Sequence, residues 1–285
     1  VDTSPTPKTV NQVIDVTPGN VTRFVVTPNS GSNTADAIAI QTAGIPFNLT
    51  IKAFDQFDNI ATNFSGAVQL ELWENGAPLS YSGTISPTSV TFVANPVTGG
   101  VVVDQPITIT YAGQSLGNGA DNLQVRAYVT TPTLREGFSA FFSVQELSTW
   151  SDIVLTLPGE TRQPGLGAPY KTGSPTTVPA GDPIAVTVTA VDSYGNRVNR
   201  AVTANLTVPT ANVFSNLGSP AQVTLVQGQG VSFAQVFTAG ASVMVASVTD
   251  TGFSDSSTMT LSVGSYAAST GRLILLSPGE VLLPG

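Results

Sequence analysis

Between residues 47 and 53 apolar and polar side chains alternate without a break. Phe47, Leu49, Ile51 and Ala53 fall on one side, and Asn48, Thr50 and Lys52 on the other. The same alternation returns at Ile184, Val186, Val188 and Ala190, set against Ala185, Thr187 and Thr189. A period of two with β-branched residues predicts a strand with one buried face. Leu49, Ile51, Ile184, Val186 and Val188, together with Phe47, are the expected core positions. Further short strands are predicted over 67–73, 88–94, 101–111, 123–129 and 138–145, and then over 200–208, 222–227, 230–238, 242–249 and 257–263. Gly, Pro, Asn and Asp punctuate the gaps, and no segment sustains a 3.6-residue period. Two sets of about seven such strands predict an all-β chain of Greek-key sandwiches.

The chain also repeats itself. Ala43-Gly44-Ile45-Pro46 leads through the first alternating strand into Asp55-Gln56-Phe57-Asp58-Asn59. Ala180-Gly181-Asp182-Pro183 leads through the second into Asp192-Ser193-Tyr194-Gly195-Asn196, at an offset of 137 and without gaps. Seven of the seventeen positions are identical, which chance explains poorly. At an offset of 120, Ile153-Val154-Leu155 with Pro158-Gly159-Glu160 matches Leu273-Ile274-Leu275 with Pro278-Gly279-Glu280. Arg23-Phe24-Val25-Val26-Thr27-Pro28 is a looser form of that opening. Self-similarity at a long fixed period predicts like units in series. The expected divisions are a linker or closing strand over 1–20, one sandwich over 21–149, a second over 150–266, and the opening strand of a third over 267–285. If the chain is an assembled subunit, residues 272–283 should pair with a neighbouring copy near Val13–Val16; if it is cut from a longer array, they should lie loose or pack on the second unit.

The Ala-Gly-x-Pro strand ending in Asp-x-x-Gly-Asn resembles the bacterial immunoglobulin-like repeats of large surface proteins, adhesins and invasin-like arrays. The resemblance spans the chain from about residue 21. It implies tandem immunoglobulin-like Greek-key β-sandwiches, an extracellular or cell-surface location, and spacing, adhesion or coat-building in place of catalysis. The first copy departs from the pattern with Asp58 where the second has Gly195.

Composition narrows the chemistry. Charged residues make up 10% of the chain and hydrophobic ones 41%; Ser and Thr supply about a fifth, giving a polar surface with little charge. With no Cys and no His, thiolate chemistry, disulfides and the commonest general base and metal ligand are absent. The net charge of −8 and the lack of any basic run argue against nucleic acid and anionic membrane surfaces. No apolar run approaches the roughly 18 residues that would cross a bilayer. The opening Val1-Asp2-Thr3 reads as a processed or trimmed start.

Five features are candidates for chemistry. Asp55, Asp58 and Asn59, with Asp192 and Asn196 in the second copy, sit where a strand meets a turn. Turn chemistry explains them, since Asp accepts backbone N–H bonds and Asn or Gly tolerates positive φ; the alternative is a weak calcium site at Asp55, Asp58 and Asn59. Pro158-Gly159-Glu160 and Pro278-Gly279-Glu280 read as rigid turns. Trp73 alternates outward with Gln69 and Glu71, a contact residue or one element of a glycan-binding face. Lys52 on a sandwich strand raises a Lys–Asn isopeptide cross-link. The Asn-x-Ser/Thr sequons at Asn20, Asn48, Asn63 and Asn205 are no more than this composition gives by chance. The expectation is therefore a non-catalytic structural or interaction array, such as a surface layer, filament or adhesin stalk. Its partners would be other copies or repeats of itself, or a surface glycan or protein. The alternative is an accessory carbohydrate-binding region of a secreted polysaccharide hydrolase. No cofactor is expected beyond the calcium alternative.

Overall fold

The computed structural model describes residues 16–79, 83–112, 122–208, 221–237 and 239–262. The predicted strand over 272–283 and residues 13–15 of its expected recipient lie outside them, while Val16 is exposed and belongs to no strand.

The first set of strands is β1 Arg23–Thr27, β2 Gln41–Thr42, β3 Phe47–Phe54, β4 Gly66–Glu74, β5 Ala77–Pro78, β6 Ile85–Ser86, β7 Ser89–Phe92, β8 Val101–Ile109, β9 Leu123–Val129, β10 Arg135–Phe138 and β11 Val144–Gln145. The second is β12 Asp152–Thr156, β13 Glu160–Arg162, β14 Lys171–Gly173, β15 Val178–Pro179, β16 Pro183–Val191, β17 Val202–Thr207, β18 Ala221–Leu225, β19 Gln229–Gln235, β20 Gly240–Ser247 and β21 Ser254–Ser262. Each set makes a two-sheet Greek-key sandwich. In the first, β1-β3-β8-β6 faces β10-β9-β4-β5, with β7 also on β4. In the second, β12-β16-β19 faces β15-β21-β20-β17-β18. This is the immunoglobulin-like arrangement, all-β throughout the described residues. Among these residues no helix is long and apolar enough to cross a membrane.

The repeat seen in sequence is a repeat of hydrogen bonds. β1 pairs with β3 from Arg23↔Phe54 to Thr27↔Thr50, and β12 with β16 from Asp152↔Val191 to Thr156↔Thr187. Phe24-Val25-Val26 and Ile153-Val154-Leu155 therefore open their sandwiches in the same register. β2 and β15 each lie parallel to the last strand of their own sandwich, β2 on β11 and β15 on β21.

Two cores result. One gathers Leu49, Ile51, Val68, Leu70, Ile107 and Val125 among others, and the other Ile153, Ile184, Val186, Val188, Leu225 and Met244. Each fully buried aliphatic or aromatic side chain contributes about 1.5–3 kcal/mol. Phe47 is the exception among the expected core positions. It is half-buried at the rim, its ring centroid 6.0 Å from that of Phe142.

The outer face of β3 is less exposed than its alternation suggests. Thr50 and Lys52 are both buried, Lys52 bonded to the β1–β2 connection and Thr50 to β8. Lys52 Nζ donates to Asn33 Oδ1 at 3.1 Å, and Thr50 Oγ1 accepts from the Asp104 amide at 3.3 Å, beside a register shift between β3 and β8. The single strand predicted over 138–145 is not continuous: β10 ends at Phe138, and only Val144–Gln145 of the span form a strand, β11. At the break the Ser139 hydroxyl stands in for a ladder carbonyl, accepting from the Val125 amide at 2.9 Å.

In the second sandwich the β12–β15 connection carries an extra hairpin, β13–β14. The Pro158-Gly159-Glu160 turn starts it: the Glu160 amide donates to Leu157 O at 3.0 Å, and Glu160 Oε2 accepts from the Leu157 amide at 2.9 Å. Lys171 then ties the hairpin to the sheets. Its Nζ donates to Leu155 O at 2.7 Å, Asp255 Oδ2 at 2.8 Å and Ser257 Oγ at 2.8 Å, with Glu160 Oε1 at 3.6 Å. This hairpin positions the loop at residues 163–170 against the first sandwich.

Candidate functional site

The turn after each central strand is an aspartate clamp. Asp55 Oδ1 accepts from the Phe57 and Asn59 amides at 2.8 and 2.9 Å. Its Oδ2 accepts from Asn59 Nδ2 at 3.2 Å and from the Gly19 amide at 2.9 Å. Asp192 repeats the pattern with the Tyr194 and Asn196 amides at 2.9 and 3.0 Å, Asn196 Nδ2 at 3.1 Å and the Leu147 amide at 3.0 Å. Gly19 and Leu147 lie just before the opening strand of their sandwiches, so each aspartate also fastens the chain as it enters. Burial pushes the Asp55 carboxyl up, but the bonds from Gly19, Asn59 and Phe57 outweigh it and bring it down to about 2.

Asp55, Asp58 and Asn59 are thus brought together, but not as a cation would need them. Both Asp55 oxygens face N–H donors, where a hard cation requires free oxygen lone pairs. Asp58 turns to Arg23, whose Nη2 lies 2.8 Å from its Oδ1. Among the described residues no group of three or more acidic side chains could hold a metal ion. Asp58 and Gly195 differ for a local reason. Both have positive φ, 64° and 77°, but a Cβ on Gly195 would lie 2.8 Å from the Tyr170 ring of the hairpin loop. The first sandwich has no such hairpin and accepts Asp58.

The second clamp makes contacts the first lacks, and these form a joint between the sandwiches. Asn196 Nδ2 donates to Thr110 O at 2.8 Å and its Oδ1 accepts from the Ala112 amide at 3.0 Å. The Thr110 hydroxyl donates to Gly165 O at 2.5 Å, and the Gly165 amide to Tyr194 O at 2.7 Å. Tyr194 packs against the first core, over Gly44. A Cβ on Gly44 would lie 2.4 Å from the Tyr194 ring, so only glycine seats it. Asn196 is 1% exposed. The joint is therefore specific in direction, with the asparagine buried and bonded to backbone groups of the first sandwich.

A second candidate lies on the outer face of β10-β9-β4. Glu71 is paired with Arg126 across β4 and β9, and Arg126 with Phe138 across β9 and β10. Arg126 is held by Glu71 Oε2 at 3.0 Å and Glu136 Oε2 at 2.5 Å. Burial lowers its pKa, and the two carboxylates outweigh that and raise it. Its guanidinium lies 4.3 Å from the Tyr128 ring and 5.0 Å from the Trp73 ring. Trp73 Nε1 donates to Glu71 Oε2 at 2.8 Å, and the Trp73 and Phe138 rings meet edge to face at 5.0 Å. Trp73 is outward, as its alternation requires. Its Arg126, Tyr128 and Phe138 neighbours come from strands distant in sequence. On the matching strand of the second sandwich stand Thr203, Asn205 and Thr207, so this face belongs to the first alone.

No family model and no curated protein matches the chain. Among solved structures it is similar to a beta-glycosidase from Bacteroides vulgatus, at 12% identity and a TM-score of 0.30, covering 85% of this chain and 25% of that one. It is also similar to the D00-D0 domain of Intimin, at 10% identity and 0.31, over 84% and 99%. A third similarity is to the surface layer protein SbsC, domains 1-6, at 11% and 0.28, over 88% and 29%. The chain thus spans about a quarter of the glycosidase and the whole of the Intimin fragment.

Proposed function

We propose that the chain is a non-catalytic structural part of an extracellular or cell-surface array, with its sandwiches over 21–149 and 150–266 held as a rigid pair. The observation that carries this reading is the Asn196–Tyr194 joint. A flexible tether needs no buried asparagine bonded to a neighbouring sandwich, whereas a spacer that sets distance and direction does. Domains joined without such contacts move relative to each other by default. The charge-poor, Ser/Thr-rich surface suits an exposed location. Its partners in this reading are further repeats or copies.

The test is a distance distribution by pulsed electron spin resonance. The chain has no Cys, so labels introduced at Thr98→Cys and Thr224→Cys, exposed on the two sandwiches, report one distance. A single narrow distribution is expected, broadened by Tyr194→Ala. A broad distribution in the parent would remove the rigid-spacer reading.

The Trp73 face supports a second reading, a carbohydrate-binding role for the first sandwich. Aromatic side chains beside Gln69, Glu71 and Arg126 combine apolar faces with fixed hydrogen-bonding groups, as sugar recognition requires. Against it, the rings cross instead of lying coplanar, and Arg126 is already held by two carboxylates. Affinity electrophoresis in soluble polysaccharides decides: retardation abolished by Trp73→Ala favours this reading, and unretarded migration removes it.

A further inference from the structure

The near end of the first sandwich carries the same docking groups as the near end of the second, and here they are exposed among the described residues. Phe57 stands at the position of Tyr194, and Asn59 at that of Asn196, each 137 residues earlier. Asp55 holds Asn59 through the same backbone and side-chain bonds by which Asp192 holds Asn196. The surroundings differ. Tyr194 is packed on the first core and Asn196 is buried, while Phe57 is 73% exposed and Asn59 is exposed. An aromatic ring so far out of a turn is a poor solvent-facing residue, and the second sandwich shows what covers its counterpart.

Gly181, Val236, Phe237 and Ala239 repeat parts of the seat at the far end of the second sandwich. In the joint, the seat on the first sandwich is Gly44 with the run Ile109-Thr110-Tyr111-Ala112. The Gly44 amide donates to Ile109 O at 2.8 Å, and the Gly181 amide donates to Val236 O at the same 2.8 Å. Both glycines have positive φ, 76° and 92°. The run Val236-Phe237-Thr238-Ala239-Gly240 repeats Ile109-Thr110-Tyr111-Ala112-Gly113 with the Ala-Gly pair identical. Phe237 and Ala239 are exposed, where Ala112 is buried in the joint. One difference makes sense chemically. Thr110 uses its hydroxyl to hold Gly165 of the hairpin loop. The first sandwich has no hairpin to hold, and in place of that threonine the far seat offers Phe237, an apolar neighbour for Phe57.

We propose that these two ends bind each other between copies of the chain: Phe57 seats over Gly181 beside Phe237, and Asn59 pairs with the backbone at Phe237 and Ala239, as Tyr194 and Asn196 do on Gly44, Thr110 and Ala112. The two surfaces are different, so the contact is heterologous and propagates head to tail into an open filament. This inference rests on the array reading and adds a contact the single chain does not contain.

Sedimentation velocity of the full chain over a concentration series tests it. The expected result is a series of larger species that grows with concentration. Phe57→Asp and Phe237→Asp, both at exposed sites, should each weaken it by about tenfold or more. An equimolar mixture of the two variants should associate again but stop at a dimer, because each supplies one intact end. A parent that stays monomeric at every concentration overturns the proposal. So does assembly that survives both substitutions. The internal joint is read separately, since neither substitution touches Tyr194 or Asn196. Loss of self-association with an unchanged label distance, or the reverse, assigns failure to one contact alone.

Discussion

Asp55 and Asp192 show how much one carboxylate can organise when every lone pair meets an N–H. Each closes its own turn and pins the chain entering its sandwich. For Asp55 the sign follows from its lowered pKa. Its carboxyl falls from an ordinary 3.8 to about 2 on folding, so its stabilisation is fully present above about pH 4 and is lost as pH falls through 2. The first sandwich of the parent should lose stability between those values, and Asp55→Asn should remove that acid-sensitive step while lowering stability at neutral pH. Thermal melts from pH 5 to pH 2 check both. The same melts with and without chelator address calcium at Asp55, Asp58 and Asn59. The donor-filled carboxylate predicts no change, and a drop confined to the first sandwich would restore the cation. Lys52 offers another residue-scale check. Burial lowers its pKa while Asp36 raises it, and it reaches Asn33 Oδ1, yet Asn33 is exposed to water, which disfavours the dry amine attack an isopeptide needs. The intact mass should be unshifted; a mass lower by one ammonia would show the cross-link formed.

Strands were legible in the sequence where their chemistry is local. Alternation found β3 and β16 and the faces of Leu49, Ile51, Val186 and Val188, because an inner sheet face is a property of every second residue. It could not find what covers the outer face. Thr50 and Lys52 alternate as solvent-facing residues do, but both are buried, Lys52 bonded to Asn33 of the β1–β2 connection and Thr50 to the Asp104 amide of β8. Nor could it find the β10–β11 break, which depends on a serine hydroxyl meeting β9. The role of Asn196 was half legible: its bond to Asp192 spans four residues, but its bonds to Thr110 and Ala112 span 86 and 84, where no pattern reaches. Trp73 and its neighbour Glu71 were placed correctly, while Arg126, Tyr128 and Phe138, from strands distant in sequence, were not. The inner-face assignment has a direct test. Val186 is fully buried in the middle of β16, so Val186→Asp puts an unpaired carboxylate in the core, a loss of about 4 kcal/mol or more. The second sandwich should unfold at room temperature by circular dichroism, and a melting point within a few degrees of the parent would mean the face is wrong.

At the scale of the whole molecule, the joint makes each sandwich part of the other's surface. Tyr194 covers Gly44 and the rim of the first core, and Thr110 holds the hairpin loop of the second. If the second sandwich unfolds, the first loses the ring over Gly44 and the partners of Thr110 O and the Ala112 amide; if the first unfolds, Asn196 and Gly165 lose theirs. Each side therefore raises the stability of the other by the free energy of the contact. Three hydrogen bonds at about 0.5–1.5 kcal/mol each, with a partly buried ring adding about 1–2 kcal/mol, give a coupling large enough to merge two unfolding transitions whose midpoints lie near each other. Scanning calorimetry of the parent should show one endotherm broader than a single domain of the same total enthalpy. Tyr194→Ala, which leaves the Asp192 clamp and both cores intact, should split it, lowering the sandwich that depends more on the contact and leaving the other close to its intrinsic midpoint. Two endotherms in the parent that Tyr194→Ala does not move would mean that the contact at Asn196 transmits nothing, and that the sandwiches are neighbours without being a single mechanical element.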